Sequence, residues 1–539
     1  MQLAIHMFGA QVESPTEMLR LPDDCEPLQP RLPLDFECVA AGVFRAQGRP
    51  VWASYLDDHF DVTWPNSVSR AFVLLAKAGD RWFAVTFGQG RHYLDEAALV
   101  MDFGLRVTAN TVDPGRLRSM ATMRLGSAVR HTQQRISVPS RLGAFDVDLE
   151  GEWVRSLGGE SDQHLVTGMT GSRSLLVEVP EGHRLGDLHE LLVFLLGRYR
   201  ATDYQQWYPY LDWLQPIDRS DARVADLDAR LAHELVTGVA DFSILTPLVQ
   251  PDDEVRLAHR IVAGRNRRRA LDVLGVRHTV RDVGAQALQR QVETIDADGH
   301  PIGQRRRLRE FLAAQLVDDH GDTFVLADGR WFAVSDDYLQ RLDRQLGRIP
   351  AWSWNRLDMP DWDPQHSEQT YNALTARDRR WLHMDRRNFE GVVRQRDRVE
   401  VADLITPRSD FLCVKKMRGA GDMSHLFSQG SVSATLYADH RDYRVFVDRR
   451  FVERWPGRRP ASPTIVYAIG LDRLRPLPRG LPFFSRVNIC NHARTIRGTE
   501  LDVAVAPILV RAPTSGSASA VDVPEAREPG QGALFDLPG

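Results

Sequence analysis

Two stretches far apart in the chain carry nearly the same apolar pattern. AFVLLAKAGDRWFAVTFG, from Ala71 to Gly88, reads as two strands folded about a Gly-Asp turn, and TFVLADGRWFAVSDDYL, from Thr323, repeats the design about Asp328-Gly329. Apolar runs of strand length on either side of a two-residue turn predict β-hairpins. The shared GDRWFAV and DGRWFAV leave two origins open, an internal duplication or one hairpin packing reached twice, and two copies are too few for a solenoid. Between them, LGDLHELLVFLLGRYR changes to helical spacing before the aromatic-rich ATDYQQWYPYLDW. RVADLDARLAHELVTG keeps helical spacing up to Gly238, which suits a helix stop. NRRRALDVLGVRHTV and GQRRRLREFLAAQLVDD each join an arginine run to apolar positions.

The rest of the pattern divides the chain. Residues 1–65 are proline-rich and read as an irregular segment with short strands; residues 66–350 read as a mixed α/β region holding both hairpins. The proline- and tryptophan-rich stretch near residue 350 reads as a domain connection. Residues 351–511 form a further domain, and residues 512–539, rich in Ser, Ala, Pro and Gly, are expected to be disordered. The whole predicts an α+β protein whose C-terminal part holds a mixed sheet flanked by helices.

Composition narrows the classes. The 539 residues are 43% hydrophobic and 26% charged, ordinary for a globular chain and long enough for several cores. A net charge of −4 gives no global attraction to nucleic acid or anionic membrane, so any such contact needs a local patch. The four cysteines, Cys25, Cys38, Cys413 and Cys490, form no CxxC pair, which argues against a zinc ribbon or disulfide scaffold. There is no signal-peptide pattern and no apolar run of membrane-spanning length, so a cytoplasmic protein is expected. No Walker-type loop or complete dinucleotide fingerprint occurs either, which disfavours nucleotide-driven activity.

Chemistry concentrates after residue 365. HSEQTYNALTARDRRWL suits a helix beginning near Ser367, with Glu368 in its first turn. RVEVADLIT reads as a strand in which Val399, Val401, Asp403 and Ile405 share a face, leaving Asp403 as an acid among apolar neighbours. FLCVKK places Phe411, Cys413 and Lys415 on one face, and the next helix carries His425 and Gln429 at i, i+4. This order of helix-Glu, strand-Asp, strand-Lys and helix-Gln resembles the core of the restriction-endonuclease-like, or PD-(D/E)xK, nuclease superfamily. The resemblance implies a Mg2+ ion held by Asp403 and Glu368, with Lys415 orienting water or phosphate and Gln429 in support. Hard Mg2+ prefers carboxylate oxygen, and phosphodiester hydrolysis needs a metal-bound nucleophile and cationic support. The departure is Cys413, which stands where that superfamily places an acid; a neutral thiol is a poor magnesium ligand.

A wider resemblance covers roughly residues 65–510. FGQGRHYLD, FGLRVTAN, DPGRLRSM, VADLI, FLCVKK, SHLFSQGSVSA and LPFFSRVNI resemble a sporadically distributed bacterial family of unknown function, whose patchy occurrence implies anti-phage defence or mobile elements. Lys416, Arg267, Arg268, Arg305 and Arg306 are candidate nucleic-acid contacts, because guanidinium forks match phosphate oxygens; solvated faces or salt bridges are the plainer reading of the same runs. Trp207, Tyr208, Tyr210 and Trp213 mix with arginine as base-stacking surfaces do, although core packing is commoner. GRHYLD offers Arg91 and His92 beside a glycine turn. In the tail, QGALF resembles the peptide by which bacterial replication and repair proteins dock on the sliding clamp, with Gln531 as its polar end and Leu534 and Phe535 as anchors.

The expected function is a metal-dependent nuclease-like protein acting on DNA or RNA in bacterial defence or mobile-element biology. A catalytically inactive nucleic-acid-binding or phage-sensing module and a structural or assembly protein are the alternatives.

Overall fold

The computed structural model of the chain describes residues 1–21, 28, 34–47, 67–124, 130–145, 147, 151–238, 242–244, 258–264, 267–295, 301–357, 359–384, 388–390, 398–417 and 420–511. The fold is α+β. Its largest sheet is built from β1 (Gln2–Met7), β2 (Cys38–Gln47), β3 (Ser67–Ala78), β4 (Arg81–Gly88), β5 (Leu117–Arg124), β6 (Arg130–Ser140), β7 (Glu152–Glu160), β8 (Gly168–Gly171) and β9 (Leu175–Glu178). The strand order is β2-β3-β4-β1-β9-β8-β7-β5-β6. One short strand of the N-terminal segment, β1, is integral to this sheet, pairing with β4 on one side and β9 on the other. A strand covered on both faces has no polar alternation to announce it: Leu3, Ile5 and Met7 are buried, and so is His6 on the opposite face. Helices α1 (Phe103–Thr111) and α2 (Leu188–Arg200) pack on this sheet.

Residues 66–350, read as one region, hold a second core of their own. It rests on a five-stranded sheet ordered β10-β18-β17-β16-β11, made of β10 (Leu214–Pro216), β11 (Phe242–Ile244), β16 (Leu312–Val317), β17 (Thr323–Ala327) and β18 (Arg330–Val334). Beside it lies a four-stranded sheet, β13-β12-β14-β15, of β12 (Ala258–Val262), β13 (Arg268–Ala270), β14 (Gln291–Ile295) and β15 (Pro301–Arg307). Helices α3 (Ala222–Thr237) and α4 (Val273–Val283) cover this core, and α3 stops at Gly238 in the left-handed conformation.

Both sequence hairpins form, and in one register: Ala78 pairs with Arg81 across Gly79-Asp80, and Ala327 with Arg330 across Asp328-Gly329. The second turn has positive φ at both central residues, 48° and 71°, as a twisted two-residue hairpin requires. The likeness extends beyond the turn. β2-β3-β4-β1 and β16-β17-β18-β10 are both antiparallel meanders whose last strand pairs with a strand from earlier in the chain.

After α5 (Asp336–Leu346), the C-terminal part builds a mixed sheet ordered β19-β22-β23-β24-β25. Its strands are β19 (Leu382–His383), β22 (Leu404–Ile405), β23 (Phe411–Lys416), β24 (Thr464–Leu471) and β25 (Asp502–Leu509). β22 runs antiparallel to β19 and β23, whereas β23, β24 and β25 are parallel. Parallel neighbours need long crossovers. These are supplied by α7 (Ala420–Asp439) with α8 (Arg441–Arg454), and by α9 (Phe483–Gly498).

Strand alternation sorts the two faces. Phe411, Cys413, Ile465, Tyr467 and Val505 pack on the α7–α9 side. Leu412, Val414, Val466, Ala468 and Ala506 pack against Trp352, Trp362 and α6 (Glu368–Arg379). RVEVADLIT is not one strand: Arg398–Glu400 is β21, which pairs with β20 (Asn388–Glu390) in a separate ribbon, and β22 begins at Leu404.

Candidate functional site

Glu368 is placed by a helix start. Ser367 caps α6 by accepting from the Thr370 N–H at 3.1 Å, and an acid in the first turn also suits the helix dipole. One turn on, Tyr371 stacks on Trp362 with ring centroids 4.4 Å apart and donates to the Pro360 carbonyl at 2.8 Å. That fixes α6 to the sheet. Asn372, fully buried, then donates to Asp403 Oδ1 at 3.3 Å.

Asp403 lies just before β22, and its backbone N–H still bonds the Leu412 carbonyl at 2.9 Å. Its Oδ2 accepts from the Val414 N–H at 2.7 Å, so the carboxylate bridges the two strands beside Lys415. Asp403 is only 5% exposed. Lys415, at the open end of β23, places Nζ 2.9 Å from Glu368 Oε1, with both side chains about one third exposed. Burial alone would lower the Lys415 pKa. The hydrogen bond and charge of Glu368, then the charges of Asp422 and Asp403, outweigh it and raise the value above that of an ordinary lysine.

The structure therefore gathers Glu368, Asp403 and Lys415 and adds two residues that the sequence reading missed, Asn372 and Asp422. Their signals were local: Asn372 stands at i+4 from Glu368, and Asp422 in the first turn of α7. Gln429 does not join them. It lies roughly 10 Å further along α7 than Asp422 at the helical rise, and its buried Nε2 has no hydrogen-bond partner. His425, on the same helix, is exposed. Lys416 is half-buried on the opposite face of β23 from Lys415.

Cys413 has no exposed surface, and burial, then Asp403 and Glu400, push its thiol well above its ordinary range. It is a neutral apolar group and contributes no ligand. Among the described residues no three His, Cys, Asp or Glu side chains stand together as a metal cage. Mg2+ is nevertheless commonly held by one or two carboxylates together with waters and substrate phosphate. Glu368 and Asp403 are hard oxygen donors of that type, and Glu368 is accessible.

The arginine runs sit on strands rather than helices. Arg260 and Arg268 donate to Glu293 Oε2 at 2.9 and 3.0 Å, and Arg305 reaches Oε1 at 2.6 Å, although Glu293 itself is 1% exposed. Arg267 pairs with Asp282 at 3.1 Å, while Arg306 is exposed. Three cations on one buried carboxylate leave a positive edge on this small sheet. The aromatic stretch follows the commoner, core-packing reading for three of its four rings: Tyr208 and Tyr210 are core, Trp213 packs beside them, and Trp207 is exposed. In the GRHYLD turn, a Cβ on Gly90 would stand 2.4 Å from the Phe72 carbonyl oxygen, so close backbone packing requires that glycine. Gln531, Leu534 and Phe535 lie outside the described residues. No helix among the described residues is long and apolar enough to cross a membrane.

Compared with known proteins, residues 3–508 match the model of one family, described as a family of unknown function (DUF6119). No curated protein and no solved structure matches.

Proposed function

The chain belongs to the DUF6119 family, and since that family's function is unknown we propose one from its own residues: a nuclease-like phosphodiesterase that acts on nucleic acid with Mg2+. The observation that carries this reading is Lys415, held charged by Glu368 at 2.9 Å, one residue beyond the N–H that Asp403 accepts. In such a site Lys415 pairs with a phosphate oxygen at the strand end. Asp403, fixed by Asn372 and the β23 backbone, keeps its carboxylate aimed without rearrangement. Glu368 and Asp403 would hold the metal, which when bound supplies an activated water and a Lewis acid for the phosphoryl oxygen. The resemblance of the sequence motifs to a sporadically distributed bacterial family suggests anti-phage defence or mobile-element biology as the setting.

A second reading has its own observation. Asp403 is nearly buried and both of its oxygens are bonded, while Cys413 replaces the third acid with a neutral thiol. Those facts favour a module that binds nucleic acid without cutting it.

One experiment separates the two. The full chain is incubated with single- and double-stranded DNA and RNA, with and without Mg2+ or Mn2+. Metal-dependent cleavage lost in both Lys415→Met and Glu368→Gln supports the enzyme, with an expected fall of 100-fold or more, on the order of one lost electrostatic stabiliser. Salt-sensitive binding without cleavage supports the module. Neither binding nor cleavage removes both.

A further inference from the structure

Among the described residues, four guanidinium groups stand near one another with one ion-paired carboxylate, Asp328, to serve them. Arg155 lies on β7, Arg173 in the turn between β8 and β9, Arg219 after β10, and Arg330 opens β18. They meet where the nine-stranded sheet abuts the five-stranded one. Arg330 is 4% exposed; its Nη1 has only the Met101 thioether at 3.4 Å, a weak acceptor, and its buried Nε has no partner. Arg155 lies with Cζ 5.3 Å from the Phe332 ring centroid. Arg173 is 3.8 Å from Asp328, the one ion pair found for these four arginines among the described residues.

Their mutual field is felt. Burial first, then Arg173, Arg155 and Arg219, push Arg330 down to about 8. Burial, then Arg173, push Arg155 down to about 10. The acids that answer this field are Asp328 and, further out, Glu96, while Arg91 adds another positive charge beside Arg173.

The neighbouring residue shows how this fold treats a buried guanidinium that is purely structural. Arg309 bonds both oxygens of Asp228, and Trp331, adjacent to Arg330, donates to that same carboxylate at 2.8 Å. Arg330 has no such acid. A buried cation left unpaired is strongly unfavourable unless an anion from outside completes it. Several converging guanidinium forks match the oxygens of a multiply charged tetrahedral anion better than one planar carboxylate.

We propose that Arg155, Arg173, Arg219 and Arg330 form a phosphate-binding site at the junction of the two sheets, for a phosphate carried by a small phosphorylated ligand or by the phosphorylated end of a nucleic-acid strand. With Arg330 only 4% exposed at its inner end, the cluster suits a terminal phosphate, which can reach inward, better than the passing backbone of a duplex. It is independent of the Glu368–Asp403–Lys415 cluster.

The test uses the full chain and two measurements, thermal unfolding and titration calorimetry. Inorganic phosphate and pyrophosphate are the first probes, against chloride at equal ionic strength. Pyrophosphate should bind and raise Tm. Arg173→Ala and Arg219→Ala, at partly exposed positions, should each weaken binding about tenfold or more, the loss of one charged hydrogen bond. Arg330→Met should raise Tm in chloride, because it removes an unpaired buried cation, and should abolish the pyrophosphate response. ADP and matched 5′-phosphorylated and 5′-hydroxyl oligonucleotides then assign the source. Tighter binding of ADP points to a small ligand, and preference for the phosphorylated oligonucleotide points to a strand end. The site is overturned if neither phosphate nor pyrophosphate stabilises the wild type beyond chloride, or if all three variants respond as the wild type does.

Discussion

Asp228 shows how much one buried carboxylate can be asked to hold. It accepts from Arg309 at 3.1 Å and from the Trp331 indole at 2.8 Å, with the Arg309 side chain 6% exposed. Removing it strands a cation and an indole N–H in the core. Asp228→Ala is therefore expected to cost about 3–5 kcal/mol, the usual penalty for breaking a buried pair from one side. Urea unfolding measures it, and a loss below about 1 kcal/mol would mean that Arg309 reaches water. At the same scale Lys415, Glu368 and Asp403 were legible in the sequence because each stands at the end of an element, where chain order nearly fixes position. Arg155, Arg173, Arg219 and Arg330 were not: they come from four separate stretches, and only the docking of two sheets brings them together.

Among the elements, the hairpins were readable because their information is local: two apolar runs and a Gly-Asp or Asp-Gly turn. The strand expected over RVEVADLIT was not, because Asp403 spends its side chain on the Val414 N–H and on Asn372, tertiary bonds that break the ladder before β22. The arginine runs follow their plainer reading, since Arg268 on β13 and Arg305 on β15 form salt bridges that converge on Glu293. The packing of α7 against α9 is another feature without a sequence signal. It is stitched by Asn488 to Ser424 at 2.9 Å and by Ser431 to His492 Nδ1 at 2.8 Å. Burial, then Arg124, hold His492 down to about 4, and burial, then Arg91, do the same for His6 on β1. Both imidazoles are thus neutral in the fold and take up protons more readily once unfolded. Stability is complete above the unfolded value near 6.5 and falls as pH drops towards about 4, by up to about 1.4 kcal/mol per pH unit for each group. Urea midpoints at pH 7.5, 6 and 5 should decline accordingly, and His492→Gln should flatten part of that slope. An unchanged slope would place His492 in water.

For the molecule as a whole, the decisive fact is that the core beneath the C-terminal sheet does not stop at residue 350. Val325, Phe332, Tyr338, Leu342 and Leu346 belong to the same buried cluster as Phe411, Tyr467 and Phe483. Tyr338 lies 6.2 Å from Phe483, and the Gln315 side chain accepts from the Phe483 N–H at 3.0 Å. The domain connection expected near residue 350 is thus a chain crossing within one core, where Trp352 and Trp362 bond the backbone of β25. Cutting there would expose one side of α9 and the sheet face of β17 and β18 together. A fragment of residues 351–511 is accordingly expected to lose near-ultraviolet circular dichroism and to bind a hydrophobic dye, while the intact chain unfolds its middle and C-terminal parts in one calorimetric transition. The nine-stranded sheet has a core largely its own, joined to the rest through contacts such as Trp153 with Tyr338 at 6.4 Å, and is the part expected to show a separate transition. A well-folded 351–511 fragment would contradict this, because it would mean that the α9 face closes without β17, β18 and α5. The bearing on the candidate site is direct: Glu368, Asp403 and Lys415 are held by a sheet whose other face needs the middle region, so damage to that region should loosen the placement of these three side chains without touching any of them.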